Sequence, residues 1–228
     1  MVAGPSSDAS EIITLAHRPL AGANMLVVKN LSTQTSAEQL HRCLGELGLI
    51  DNLNWDPTNS WATVQFFSRL EALACVRECD GRILDGRIIR VALLVSPRAA
   101  DAKPAAPLPL SFGKASEVMS HFLGFSGWSH EITHVRRVSC AEPKPGQSVA
   151  EVEVGVRVLV PDSELAVERT ARGKGEHAHA ADAVGQALKA AVTNALKEAL
   201  GALAIVRRAK GAGGPVETGV LVVRKIAG

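Results

Sequence analysis

The chain has 228 residues, 46% of them hydrophobic, which is room for two compact units of roughly 100 residues each. Its 25 basic and 23 acidic side chains leave a formal charge of +2, a surplus that argues for a nucleic-acid partner only if the basic groups gather on one face. Four cysteines without a C-x-x-C pair, no apolar run of membrane-spanning length and an N-terminus carrying Asp8 and Glu11 argue against a disulfide scaffold, a membrane span and a secretory leader; the expectation is a soluble intracellular protein with buried thiols.

Residues 1–22 are small, polar and interrupted by Pro5 and Pro19, and read as a mobile arm. A first unit is expected over 23–97. MLVVKN (25–30) suits a buried strand, and Ala37, Leu40, Cys43, Leu44 and Leu47 recur at helical spacing. A short strand near Leu53–Trp55, a turn at Asp56-Pro57-Thr58-Asn59 and the strand WATVQFF (61–67) precede a second helix from about Arg69 to Glu78. RIIRVALL, entered through Asp85-Gly86, is the last strand. The order is βαββαβ.

PRAADAKPAAPLPL carries four prolines, which remove backbone donors and favour extended chain, so 98–110 reads as a linker and 111–228 as a second unit. That unit opens with a helix near Ser116–Phe122 and continues with strands at about 132–138, 150–160 and 165–170. The longest helix follows over 179–203, with Val184, Leu188, Val192, Leu196 and Leu200 as its packing ridge. VLVVRKI is expected to pair with AIVRR across a glycine-rich loop. The whole is an α+β protein of two domains, the second of order α-βββ-α. From Asn24 to Arg98, 8 Lys and Arg face 8 Asp and Glu; from Ala99 onward the counts are 16 and 13, so the second half is slightly basic.

LVVKNL (26–31), NSWATVQF (59–66) and GRILDGR (81–87) together resemble the RNA recognition motif (RRM), a ferredoxin-like βαββαβ sandwich covering about a third of the chain. In that family, aromatic rings on the two central strands stack on bases. The resemblance places those roles at Val27, Asn59, Trp61 and Thr63, of which only Trp61 keeps a ring. Base stacking contributes on the order of 1–3 kcal/mol per base, so losing platforms weakens single-strand binding. Trp55 is a candidate replacement platform. Lys29, Arg87 and Arg90 are read as lying on outer strands, where phosphate contacts fall or where charges merely protect a sheet edge.

GFSGWSHEIT (124–133), VGVRVLVPDSELAVERTARGKGE (154–176) and AVTNALKEALGAL (191–203) resemble, in order, the DNA-binding region of the Rad fifty-two single-strand annealing family. An RRM followed by such a domain is the layout of the Rad fifty-two motif-containing family. The resemblance implies a non-enzymatic protein of DNA repair or homologous recombination that binds single-stranded DNA and RNA, anneals strands, and works in the nucleus or in nucleus and cytoplasm. Recombination proteins and further copies of the chain are its implied partners, with no cofactor and no membrane. It also places groove residues: Lys114 before the first helix, Phe125 in the turn, and Lys197 on the long helix, where Glu198 and Gly201 replace two further basic positions. Lys189, Thr193 and Lys197 form an i,i+4 polar row, and Arg169, Arg172 and Lys174 lead into the helix. The expectation is one continuous basic channel that grips the sugar-phosphate backbone. A solvated lysine face is the plainer reading of the helix row, and for Phe125 and Trp128 it is that both clamp the turn against the core.

Two other readings stay open. The order helix, three strands, helix is also that of a double-stranded-RNA-binding domain, although Glu176, His177, Ala178 and His179 stand where repeated cations would be needed. A protein-interaction adaptor with a degenerate RRM is the other. No phosphate-cradling G-x-x-x-x-G-K-[ST] or nucleophile motif points to an enzyme, and His177 and His179 lack a third ligand for a metal.

Overall fold

The computed structural model describes residues 10–19, 22, 24–94, 108–208 and 221–226. The elements in chain order are β1 (Ser10–Thr14), β2 (Met25–Lys29), α1 (Ala37–Gly45), β3 (Ile50–Asp56), β4 (Trp61–Phe66), α2 (Arg69–Cys79), β5 (Ile83–Leu84), β6 (Arg87–Ile88) and β7 (Arg90–Leu93). They continue with α3 (Phe112–Leu123), β8 (Ser129–Lys144), β9 (Gln147–Val160), β10 (Leu165–His177), α4 (Ala180–Gly201), β11 (Leu203–Arg208) and β12 (Leu221–Lys225). The chain divides into two compact units, one of Met1–Ile13, Arg18–Leu108 and Val206–Leu221, the other of Thr14–His17, Pro109–Ile205 and Val222–Gly228. The fold class is α+β, as expected, with antiparallel sheets.

In the first unit the main sheet has the order β3-β4-β2-β7. Period-two alternation on β2 and β4 sends Leu26, Val28, Ala62, Val64 and Phe66 inward, where they close over Leu40 and Leu44 of α1 and Ala72, Cys75 and Cys79 of α2. Each helix starts at a serine whose hydroxyl accepts a backbone N–H of the first turn: Ser36 from Gln39, Ser68 from Glu71. RIIRVALL is two elements rather than one strand. Arg87–Ile88 pairs back on Ile83–Leu84, and Ile89, 1% exposed, turns into the core before β7 begins.

The expected mobile arm is corrected for residues 10–14. There the chain forms β1, with Ile13 buried, and β1, β11 and β12 make a small sheet in the order β1-β11-β12. The pairing of the tail strand with β11 agrees with the sequence pattern; the glycine-rich loop between them lies outside the described residues. Glu11 accepts from Ser68 Oγ at 2.6 Å and from the backbone N–H of Arg69. Arg207 lies 3.3 Å from Glu71 and 3.9 Å from Glu11 and donates to Ser68 Oγ at 2.5 Å. These side chains are nearly buried, so the guanidinium fork and two carboxylates satisfy one another where water does not.

In the second unit, β9 is the middle strand of the order β10-β9-β8. Its even residues from Ser148 to Val160 are buried, as are Val167, Ala171, Gly173 and Gly175 of β10. Across this surface lies α4. Its contact face corrects the expected leucine ridge: Ala183, Ala187, Ala191, Ala195 and Ala199 form the buried row, joined by Leu196 and Leu200, while Val184, Leu188 and Val192 are half-buried. The reason is distance. A Cβ on Gly173 would stand 2.2 Å from the Ala187 carbonyl oxygen, and one on Gly175 2.1 Å from that of Ala183, so only small residues fit between helix and strand. Alanine is also the strongest helix former, and eight of the 22 residues of α4 are alanines. β10 runs through RGKGE to His177, well beyond the expected end of that strand.

Candidate nucleic-acid interface

On the face of the first sheet turned away from its helices, strand register lines up Asp56, Trp61, Lys29 and Arg90 in one row across all four strands. The next row is Asn54, Thr63, Val27 and Ala92, which carries no ring. Three of the sequence-derived residues, Trp61, Lys29 and Arg90, thus come together, although Lys29 is on a central strand and not an outer one. Arg90 is 3.8 Å from Asp80. Arg87 does not join them: it belongs to the small β5–β6 hairpin and donates to the Leu31 carbonyl at 3.2 Å. Nor does Trp55 replace a lost platform, because it pairs with Ala62 and packs into the core on the opposite face. Its position is one residue out of phase with the outward row.

Beside Trp61 is an open recess of about 410 Å³ lined by Lys29, Asn30, Asn59, Ser60 and Trp61. Asp56 at its margin accepts from Asn59 Nδ2 at 2.7 Å and from the backbone N–H groups of Asn59 and Thr58. Those bonds, the Asn59 side chain first, hold its carboxyl below the usual carboxylate range.

In the second unit the expected single channel is split. Arg172 and Lys174 alternate with Gly173 and Gly175, so their side chains leave the sheet on the face opposite α4. Arg169 has the parity of Val167 and Ala171 and stands on the helix side, half-buried, donating to the Glu168 carbonyl at 2.9 Å. Lys189, Thr193 and Lys197 are exposed on the side of α4 away from its alanine row. Lys114 is on α3, which packs along α4, and its Nζ is 2.8 Å from Glu117. The basic residues therefore occupy two surfaces, the helical layer and the outer sheet face.

The outer sheet face is charge-balanced. Arg136, Arg157, Arg172 and Lys174 share it with Glu131, Glu151, Glu153, Glu168 and Glu176, as the strand register sets out. Arg172 is 3.0 Å from Glu153 and 3.7 Å from Glu151; Arg136 is 2.7 Å from Glu153; Arg157 bridges Glu131 at 2.9 Å and Glu168 at 3.1 Å. Hydrogen bonds from Arg136 and then Arg172 hold Glu153 below the usual carboxylate range, and Arg157 does the same to Glu168. Sequence reasoning missed this lattice. Its signal was present in EVEVGVRV (151–158), where charged residues alternate with valine at period two.

Phe125 is corrected from core clamp to surface: it is 98% exposed on the turn that follows Gly124, whose φ of 79° ends α3. Trp128 holds the turn instead. Its indole N–H donates to Ser120 Oγ at 3.2 Å and its ring stacks on His130 at 6.0 Å. Thiol burial is also uneven. Cys75 and Cys79 are buried, Cys43 is intermediate and Cys140 is exposed. The hydrogen bond from the Cys75 thiol, ahead of the contribution of Arg82, lowers Cys79 to about 7, and the same bond raises Cys75. Among the described residues there is no group of three or more His, Cys, Asp or Glu able to hold a metal, and no helix is long and apolar enough to cross a membrane.

Comparison with known proteins bears on both units. Residues 26–90 match the RNA recognition motif model, and residues 110–206 match the model described as Rad52/22 family double-strand break repair protein. No curated protein matches the chain. Among solved structures, it is similar to one titled "Pes4 RRM3 Structure" at 17% identity, covering 36% of this chain and 99% of that one, with a TM-score of 0.31. The structure of the Mip6 RRM3 domain is similar at 20% identity, with 34% and 99% covered and a TM-score of 0.30. The first family binds RNA, the second serves DNA repair and recombination, and both typically act by binding and not as enzymes. The order of elements, the two matched segments and the motifs that carry them agree: residues 26–90 match an RNA recognition motif, and a match to the Rad52/22 family follows it over residues 110–206.

Proposed function

We propose that the chain binds single-stranded DNA and RNA in the service of DNA repair or recombination, and that the nucleic-acid backbone runs along the helical layer of the second domain, past Lys189 and Lys197. The observation that carries this reading is the contrast between the two surfaces. On the outer sheet face each arginine is met by a glutamate, so its field is cancelled locally; the lysines of α4 stand on an exposed helix face where phosphates can replace water. Phe125, fully presented to solvent, supplies an aromatic face for a base. The first module adds an RNA contact through Trp61, Lys29 and Arg90. Holding strands extended with bases free is all that annealing requires, and no catalytic group is needed for it.

Self-association belongs to the same proposal. β8 is an edge strand of 16 residues, and Ile132 and Val135, 51% and 54% exposed, pair with inward-facing Val156 and Val154 yet extend beyond the cover of α4. A second copy of the chain would bury them. A nuclear location and contacts with recombination proteins follow from the proposed role.

The test is fluorescence anisotropy with single-stranded DNA, single-stranded RNA and hairpin RNA across a salt series, paired with annealing of complementary oligonucleotides. Salt-dependent binding to single strands and faster annealing support the proposal. Preference for the hairpin would instead favour a double-stranded-RNA reader, and binding of neither would favour an adaptor.

A further inference from the structure

The loop 32–36 joins β2 to α1 and carries hydroxyls on Ser32, Thr33, Thr35 and Ser36. Three of them are in structural use. Ser32 Oγ accepts the Gln34 backbone N–H at 3.2 Å, Thr35 Oγ1 donates to Asp85 at 2.6 Å, and Ser36 Oγ caps α1 by accepting from Gln39 at 3.1 Å. Ser32 and Thr35 are also buried. Thr33 differs on both counts: its side chain is exposed and, among the described residues, its hydroxyl has no hydrogen-bond partner. Gln34 follows it, equally exposed, with its side-chain amide unengaged. No other serine or threonine of the 228 residues precedes a glutamine.

A hydroxyl that supports no contact can be modified without loss to the fold. The turn presenting it is closed by the Thr35 N–H on the Ser32 carbonyl at 3.1 Å and lies outside every helix and strand, so little is broken when it opens into an enzyme cleft. A partner for new negative charge stands beside it. Arg87 reaches from the β5–β6 hairpin to donate to the Leu31 carbonyl, two residues before Thr33, at 3.2 Å. A guanidinium carries further N–H groups in the same plane, and these suit a phosphate. Asp85 of that hairpin has one carboxylate oxygen on Thr35 and the other on Gln39, and Arg87 has no ion-pair partner among the described residues.

We propose that Thr33 is a phosphorylation site for a protein kinase that selects glutamine after the acceptor, and that the phosphate it gains pairs with Arg87. In the step, Thr33 Oγ1 attacks the γ-phosphorus of ATP. The new Oγ1–P bond forms as the bond from that phosphorus to the bridging oxygen breaks, ADP leaves with the electron pair, and the hydroxyl proton passes to the kinase's carboxylate. The loop follows closely on β2, whose last residue is Lys29, so a charge of about −1.5 to −2 arrives near the cations of the first sheet and repels RNA phosphates. This consequence rests on the reading that the first module contacts RNA; the site itself does not.

The full chain is incubated with ATP and a purified kinase of Ser/Thr-Gln specificity, and the product is read by intact mass and peptide mapping. One phosphoryl group on Thr33 is expected, kept in Thr33→Ser and lost in both Thr33→Ala and Gln34→Asn. In phosphorus-31 NMR the phosphothreonine should titrate below its usual value of about 6, because the guanidinium favours the dianion, and should return to that value in Arg87→Gln. Single-stranded RNA should bind the phosphorylated chain about three- to tenfold more weakly at low salt, with the gap closing as salt screens the charge, while Thr33→Ala binds like the parent. No phosphate on Thr33, or transfer that persists in Gln34→Asn, would overturn the site. A titration that Arg87→Gln leaves unchanged would overturn the pairing, and equal RNA affinity with and without the phosphate would overturn the repulsion. If Thr33 is modified and the unmodified chain binds no RNA, the reading of the first module fails and the site stands.

Discussion

Gly173 passes so close beneath Ala187 that a Cβ added to it would stand 2.2 Å from the alanine's carbonyl oxygen and equally near the backbone nitrogen of Ala191. Both are backbone atoms of one helix and cannot swing aside as the end of a side chain would. Gly173→Val should therefore push α4 off the sheet and destabilise the second unit by about 2–3 kcal/mol. Lys174→Ala, one residue along but on the far face, should stay within about 0.5 kcal/mol of the parent. Urea unfolding of the two variants gives the comparison; equal midpoints would refute the close approach.

The two basic surfaces make opposite predictions for DNA. Lys189→Glu together with Lys197→Glu should weaken single-stranded DNA binding and flatten its salt dependence by about 0.7 for each phosphate no longer neutralised. Arg172→Gln should do far less, because Glu151 and Glu153 already take up its charge. Anisotropy titrations between low and moderate salt separate the cases. A larger effect from Arg172→Gln would move the path of the strand to the outer sheet face.

Phe125→Ala removes a ring that is 98% exposed and should leave the unfolding midpoint where it is. If the ring stacks on a base, affinity for single-stranded DNA falls by about 1–3 kcal/mol. Stability and affinity measured on one preparation distinguish the roles, and a drop in stability with binding intact would return Phe125 to the core.

Glu153 sets a pH dependence whose sign is fixed. Its folded carboxyl, bonded first by Arg136 and then by Arg172, titrates below the usual glutamate range. The unfolded chain thus holds more protons as the medium is acidified, and the contribution of Glu153 is present above the ordinary glutamate pKa and lost as pH falls through the depressed folded value. A carboxyl titration followed by carbon-13 NMR should find Glu153 low, and Arg136→Ala should raise it. An unchanged value in that variant would mean that Arg136 does not hold the carboxylate.

Much of the fold was legible because period two and period 3.6 are written in residue order. The strands around Val28 and Val64, the helix of Leu40 and Leu44, and the order of both units follow from them. What escaped were matters of parity and size. Trp55 differs from an outward platform by one residue of phase, and only the register with Ala62 reveals the face it takes. On α4 large side chains suggested the ridge, while the helix packs by its small ones, since glycines on the strand beneath demand close approach. The channel expected from Lys114, Arg172, Lys174, Lys189 and Lys197 failed to form on one surface for the same reason: spacing along the chain does not state which side of a sheet a cation leaves. Charge pairing between strands is likewise invisible until register is known. Residues 10–14 read as a loose arm because their partners, Ser68 and Arg207 among them, lie far away in sequence.

That last separation bears on how the molecule is made. Arg207 meets Glu71 across 136 positions, and the first unit takes its closing segment from beyond the second in sequence. A ribosome delivering the chain in order releases Glu11 and Glu71 long before their guanidinium exists, so two carboxylates destined for a dry site must remain hydrated in the meantime. The earliest module to emerge is thus finished late, after the inserted unit has had time to settle, and a nascent chain halted ahead of Arg207 should expose that acidic pair to whatever basic surface is near.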